Sequence, residues 1–229
     1  MATMKSHRRE QLAASRKTSS HNRSLWMVYS PKLNADLVIL GDLEIIHWAT
    51  ELETNPSVQA YRFDEDVNIS LTVGEGEDDS NFTKIRGIWV DRRSGAVEFH
   101  QIDANEKHDS DRKSIPIRYR LTDQVTRHAE LVSITSAHLT LVAYQLGFWL
   151  KVIAFASQLR GYELDHETEL VGTQVQLLRK GTIRSLLEDL DIADQAIALG
   201  VICRLIISGS VIVEARKDGF GYNTAWSAP

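Results

Sequence analysis

The chain has 229 residues, with 26 Lys and Arg against 31 Asp and Glu, for a formal net charge of −5. At 43% hydrophobic and 25% charged residues its usage is that of an ordinary globular protein, which excludes a largely disordered, collagen-like or coiled-coil chain. The single cysteine, Cys203, excludes an internal disulfide framework and any multi-cysteine zinc site.

The first 24 residues contain no apolar stretch, so no signal peptide is expected there and the expected location is cytoplasmic. They hold Lys5, Arg8, Arg9, Arg16, Lys17 and Arg23 against Glu10, a +5 arm, so the rest must carry −10 to give the chain's −5. With little to bury, the arm is expected to be flexible. Arms of this sign lie along phosphates and release counterions, which makes Arg8, Arg9, Arg16 and Lys17 candidate DNA contacts.

Residues 25–40 read as a strand pair or extended lead-in ending at Gly41. Leu43, Ile46, Ala49 and Leu52 then space out an amphipathic helix from 42 to 54, with Asp42 as its cap and Asn55-Pro56-Ser57 as its stop. Val58–Tyr61 and Val67–Val73 alternate as strands, and 74–79 is an acidic turn. Residues 84–91 and 95–102 predict two strands of a hairpin turning at Arg92-Arg93-Ser94-Gly95. A polar loop over 103–114 leads to a predicted helix at 118–129, a short strand at 131–134 and a strongly apolar helix at 139–159. Gln145 and Lys151 interrupt that last segment, so it reads as a core helix rather than a membrane span of roughly 20 residues. A polar, acidic linker follows Gly161. Beyond it, helices at 182–192 and 193–208 and a hairpin through Lys217-Asp218-Gly219 give the outline of a winged helix.

Most chemical motifs are missing. Gly74 and Gly76 sit in an acidic run that would repel phosphate, and no Ser occupies a Gly-x-Ser-x-Gly turn. The histidines are scattered, and Cys203 lies in the apolar run 199–207 as a packed core residue. What remains is Glu44 in the first turn of the 42–54 helix, and Glu98 with His100 on one face of the second hairpin strand. An acid on a helix followed by a hairpin bearing acid and base is a layout that metal-dependent nucleases use, with carboxylates holding a hard divalent cation.

The run Gly41-Asp42-Leu43-Glu44, then Pro56-Ser57-Val58 and Tyr61-Arg62-Phe63, resembles the TnsA family of transposon end-cutting endonucleases. The resemblance covers roughly residues 25–226. It implies an α/β fold: a restriction-endonuclease-like mixed sheet flanked by helices over 25–160, then a small winged-helix-like domain over 168–229. It places Glu44 on the family's helix Glu, Gly87 on the metal-binding Asp, Glu98 on the next acid or amide, and His100 on the Lys. Glu44 and Glu98 would then be weak metal ligands, for Mg or Mn if the protein is active, and Gly87 offers no ligand at all. The implied protein is a cutting-impaired subunit that works on DNA within a complex with a transposase and an AAA-type ATPase regulator, and not at a membrane. An active divergent endonuclease and a non-transposon regulator of the same fold stand as alternatives. Arg86, Arg92 and Arg93 near the would-be site are candidate DNA contacts. Residues 183–207 carry Arg184 and Arg204 against Glu188, Asp189, Asp191 and Asp194, which favours a protein partner over DNA for the last domain.

Overall fold

The computed structural model describes residues 24–41, 43–71, 82–103, 113–121 and 125–229. The basic arm with Arg8, Arg9, Arg16 and Lys17, the cap Asp42 and the acidic run 74–79 lie outside the described residues. The chain divides into two compact units. One comprises residues up to Pro56 together with Ala143–Pro229, and the other is Ser57–Val142.

The second unit is a barrel. Strands β3 (Val58–Leu71), β4 (Thr83–Arg92), β5 (Val97–Asp103), β6 (Lys113–Arg120) and β7 (Thr126–Thr135) close in the order β3-β4-β5-β7-β6. All neighbours run antiparallel except β5 and β7. A barrel this small is filled by its own side chains, here Val67, Ile69, Trp89, Phe99, Ile117, Tyr119 and Ala129. The rings of Phe99 and Tyr119 meet Trp89 edge-on at 5.4 and 5.3 Å. The β4–β5 hairpin forms as expected, with Gly95 supplying the positive φ of +84° that its turn requires. The two strands expected at 58–61 and 67–73 are one long strand, kinked by register shifts at Val58/Ala60 and Arg62/Glu65.

The helix expected at 118–129 does not form. Residues 113–120 and 126–135 are an antiparallel strand pair instead. Here the period is two: Ile117, Tyr119 and Ala129 point into the barrel while Arg118, Arg120 and His128 alternate outward. The sheet that the resemblance implied is here closed into a barrel. Mixed α/β composition and a mixed sheet are observed.

The first unit is mostly helical. Hairpin strands β1 (Ser24–Ser30) and β2 (Ala35–Gly41) precede α1 (Leu43–Thr54). After the barrel, α2 (Ser136–Val142) closes the barrel unit and a 3-10 turn follows. The helical unit then resumes with α3 (Leu146–Gln158), α4 (Asp165–Leu178), β8 (Lys180–Thr182), α5 (Ile183–Glu188), α6 (Gln195–Ser208), β9 (Ile212–Val213) and β10 (Ala225–Ser227). Its short sheet has the order β8-β10-β9. Helix α6 is capped by Asp194, whose carboxylate accepts from Ala196 N and Ile197 N, and it ends at Gly209 in the left-handed conformation.

The division between the units does not follow the expected 25–160 and 168–229 boundary. Phe148, Val152, Ala156 and Leu159 join one core with Val171, Leu186, Val201, Ile202 and Ile206, so α3 belongs with the C-terminal helices. By length and hydropathy the stretch Ser136–Gln158 would suffice to cross a membrane. It is instead broken by the 3-10 turn, and the Phe148–Val152–Ala156 stripe of α3 lies in the helical core.

Candidate functional site

Antiparallel register fixes which side chains on the β4–β5 hairpin can meet. Ile88 faces His100, Trp89 faces Phe99, and Val90 faces Glu98. Glu98 and His100 therefore share the outward face with Ile88 and Val90, as the alternation predicted. Gly87 is on the opposite, inward face with Trp89 and Phe99. A Cβ built on Gly87 would lie 2.8 Å from the His100 carbonyl oxygen and 3.3 Å from the Phe99 ring. The position that the resemblance assigns to a metal-binding Asp thus has no room for a side chain and does not face Glu98. Continuing the register one step, its cross-strand neighbour is Gln101, whose side-chain amide reaches the Arg86 carbonyl at 3.4 Å.

Around Glu98 the outward face holds a polar network. Arg92 Nε donates to Glu98 Oε1 at 2.8 Å and Arg92 Nη2 to Oε2 at 2.6 Å, a bidentate pair. His100 Nε2 lies 2.6 Å from the same Oε2, and Arg92 Nη1 donates to Ser57 Oγ at 2.8 Å. His100 is fully buried and the Arg92 and Glu98 side chains are only 11% and 14% exposed. Burial pushes the Glu98 carboxyl up, but hydrogen bonds from His100 and Arg92 and the Arg92 charge outweigh it and hold the group at about 2.

This donor set does not fit the Mg or Mn ion that the resemblance implies. A cation approaching Glu98 meets a guanidinium on both carboxylate oxygens, and Gly87 contributes nothing. Among the described residues no cluster of three or more His, Cys, Asp or Glu is arranged to hold a metal ion. Glu44 sits in the first turn of α1, in the helical unit, where an acid is favoured by the helix dipole. Glu98 and His100 belong to the barrel unit.

The three arginines named as candidate DNA contacts on this hairpin have separate settings. Arg92 is spent on Glu98. Arg86 is exposed beside Asp66 at 3.7 Å, about 20 Å along the strand from Arg92 at ~3.3 Å per residue. Arg93 is exposed at the hairpin turn. Asp91 accepts from Trp89 Nε1 at 2.7 Å.

A second buried carboxylate carried no motif. Glu53 on α1 accepts from Ser30 Oγ at 2.6 Å and from Lys32 N at 2.7 Å. Lys32 Nζ reaches the Leu52 and Asn55 carbonyls at the end of the helix, fastening the β1–β2 turn to α1. The only sequence signal for it was an acid on the apolar side of a helix.

No family model matches the sequence, and no characterised protein matches it.

Proposed function

We propose that the protein is a binding and assembly subunit that does not itself cut DNA. One observation carries this reading: the carboxylate at the centre of the would-be site, Glu98, is clamped by both Arg92 nitrogens and by His100. Such a network fixes a strand face and puts a guanidinium where a metal would have to meet the Glu98 carboxylate. The resemblance to transposon end-cutting enzymes supplies the setting we propose, a DNA transposition machine in which this subunit stands with a transposase and an AAA-type ATPase regulator.

The C-terminal part of the helical unit supports a role in assembly. We read the order α4, β8, α5, α6, β9, β10 as a winged-helix-like arrangement in which residues 214–224 form the wing. Its α6 would be the groove-reading helix, yet Ala198, Leu199, Val201, Ile202, Cys203, Ile206 and Ile207 are all buried. Arg204 donates to the Leu159 carbonyl at 2.5 Å. A helix apolar on nearly every side has no face to offer base edges. Protein contact is the reading this favours.

The test is direct. Full-length protein with supercoiled plasmid or transposon-end DNA and Mg or Mn is expected to leave the DNA intact, and to be retained by immobilised transposase or ATPase regulator encoded nearby. Nicking that vanishes in Glu98→Ala would overturn the non-cutting part of the reading. Failure to bind either protein would overturn the transposition setting.

A further inference from the structure

Helix α3 is apolar on both of its faces. Phe148, Val152 and Ala156 lie in the helical core, while Gly147, Leu150 and Ala154, at i, i+3 and i+7, form the outward row. A helix apolar all round is expected to be enclosed. Here Leu150 is 43% exposed, and Tyr144 in the preceding 3-10 turn is 49% exposed. A Cβ built on Gly147 would meet nothing within 4 Å, so the row has open space above it.

The loop 214–224 runs along one edge of this row. Phe220 seats against Phe148 at 5.5 Å and Phe155 at 6.1 Å, which fixes the loop on α3. Gly219 then lies beside Lys151, the one charged residue of α3, whose Nζ would be 3.6 Å from a Cβ there. Lys217 Nζ stands over the Tyr144 ring at 5.9 Å. The acids of the loop are Glu214, which faces Arg216 at 3.8 Å, and Asp218. Among the described residues neither Lys151 nor Lys217 is ion-paired with a carboxylate. All of α3 and all of the loop lie within the described residues. The row is therefore an exposed apolar strip with two ammonium groups at its edge.

We propose that this surface docks an acidic amphipathic helix of a protein partner. The apolar face of that helix lies on Gly147, Leu150 and Ala154, and its carboxylates reach Lys151 and Lys217. A second copy of the chain is disfavoured, because a two-fold contact turns the same cationic patch on itself. A nucleic acid strand would leave Leu150 and Ala154 facing phosphate, with nothing to match them. The inference deepens the assembly role and rests on it for the kind of partner.

The experiment is fluorescence anisotropy with the full chain and a labelled helical peptide of about 18 residues, Leu and Ala on one face and Glu on the other. Saturable binding that weakens with salt is expected. Leu150→Asp and Gly147→Leu, which spoil the row without touching the core, should each weaken it about tenfold or more. Lys151→Glu with Lys217→Glu should do the same, and a peptide with Lys in place of Glu should bind that double variant better than the wild type. Circular dichroism checks that each variant is folded. No binding by the wild type, or wild-type affinity in the folded variants, would overturn the proposal. Equal affinity for poly-glutamate or for duplex DNA would overturn the amphipathic partner, as would a wild-type dimer that Gly147→Leu dissolves in sedimentation. Immobilised transposase and ATPase regulator separate this surface from the setting. Retention unchanged in the folded variants would sink the surface and leave the assembly role, whereas retention by neither, with peptide binding as stated, would sink the transposition setting alone.

Discussion

In the helical unit the residues gathered around α6 are carbon-rich: Phe148, Val152, Ala156, Val201, Ile202 and Ile206 bury one another, and even Cys203 is enclosed, its thiol pushed up by desolvation. The barrel unit buries Phe99 and Trp89 inside, but on the outward face of the same strands it also buries His100 and most of Arg92 and Glu98. The first arrangement is a packing of uncharged side chains. The second depends on every charged member keeping its partner, because removing one leaves the others desolvated. The α6 cluster and the Glu98 network should therefore respond differently to acid and to single substitutions.

The largest effect is expected at Glu98. Glu98→Ala leaves Arg92 and His100 without their shared acceptor and should cost about 3–5 kcal/mol in the barrel, read by denaturant unfolding. The pH dependence follows from the direction of its shift. The folded carboxyl sits at about 2 against an ordinary 4.5, so its contribution is fully present above 4.5 and is lost as pH falls from 4.5 toward 2. Hydrogen exchange at barrel amides should loosen across that window and lose the dependence in Glu98→Gln. A flat profile for the wild type would break the contrast between the units.

In the helical core the counterpart is Ile202→Ala, expected to cost about 3 kcal/mol by cavity formation, with the same loss at pH 7 and pH 4. Gly87→Ala should come next, at about 2 kcal/mol, because its Cβ meets the His100 carbonyl. Gly87→Asp is expected to be worse tolerated and to create no metal-dependent nicking, since that side faces Phe99 rather than Glu98; metal-dependent nicking by a folded Gly87→Asp would refute the register argument. The smallest change is Asp194→Ala, which removes the α6 cap and should cost about 1 kcal/mol by thermal melting.

Local chemistry made much of the fold legible. The α1 spacing, the turn at Gly95, the core position of Cys203 and the two helices at Ile183–Glu188 and Gln195–Ser208 all follow from periodicity and turn residues. The strand pair at 113–135 did not, because Leu121, Val125 and Ala129 repeat at the i, i+4 spacing of a helix, and only cross-strand partners decide for alternation. The candidate site was legible only as a set of residue types. Glu98 and His100 share a face in any strand, so that pairing was accessible. That Arg92 would close on Glu98, and that Gly87 would face inward, depended on hairpin register.

The amino-acid sequence by itself determined the elements whose signals are local: the stop after α1, the turn at Gly95, the apolar helices and the alternation along β4 and β5. Tertiary structure decided the rest. It closed five strands into a barrel, moved α3 into the core of the C-terminal helices and turned an acid expected to hold a metal into one clamped by an arginine. The physical reason is that burial and pairing of charge belong to a residue's neighbours in space, and here those neighbours are set by the register between strands.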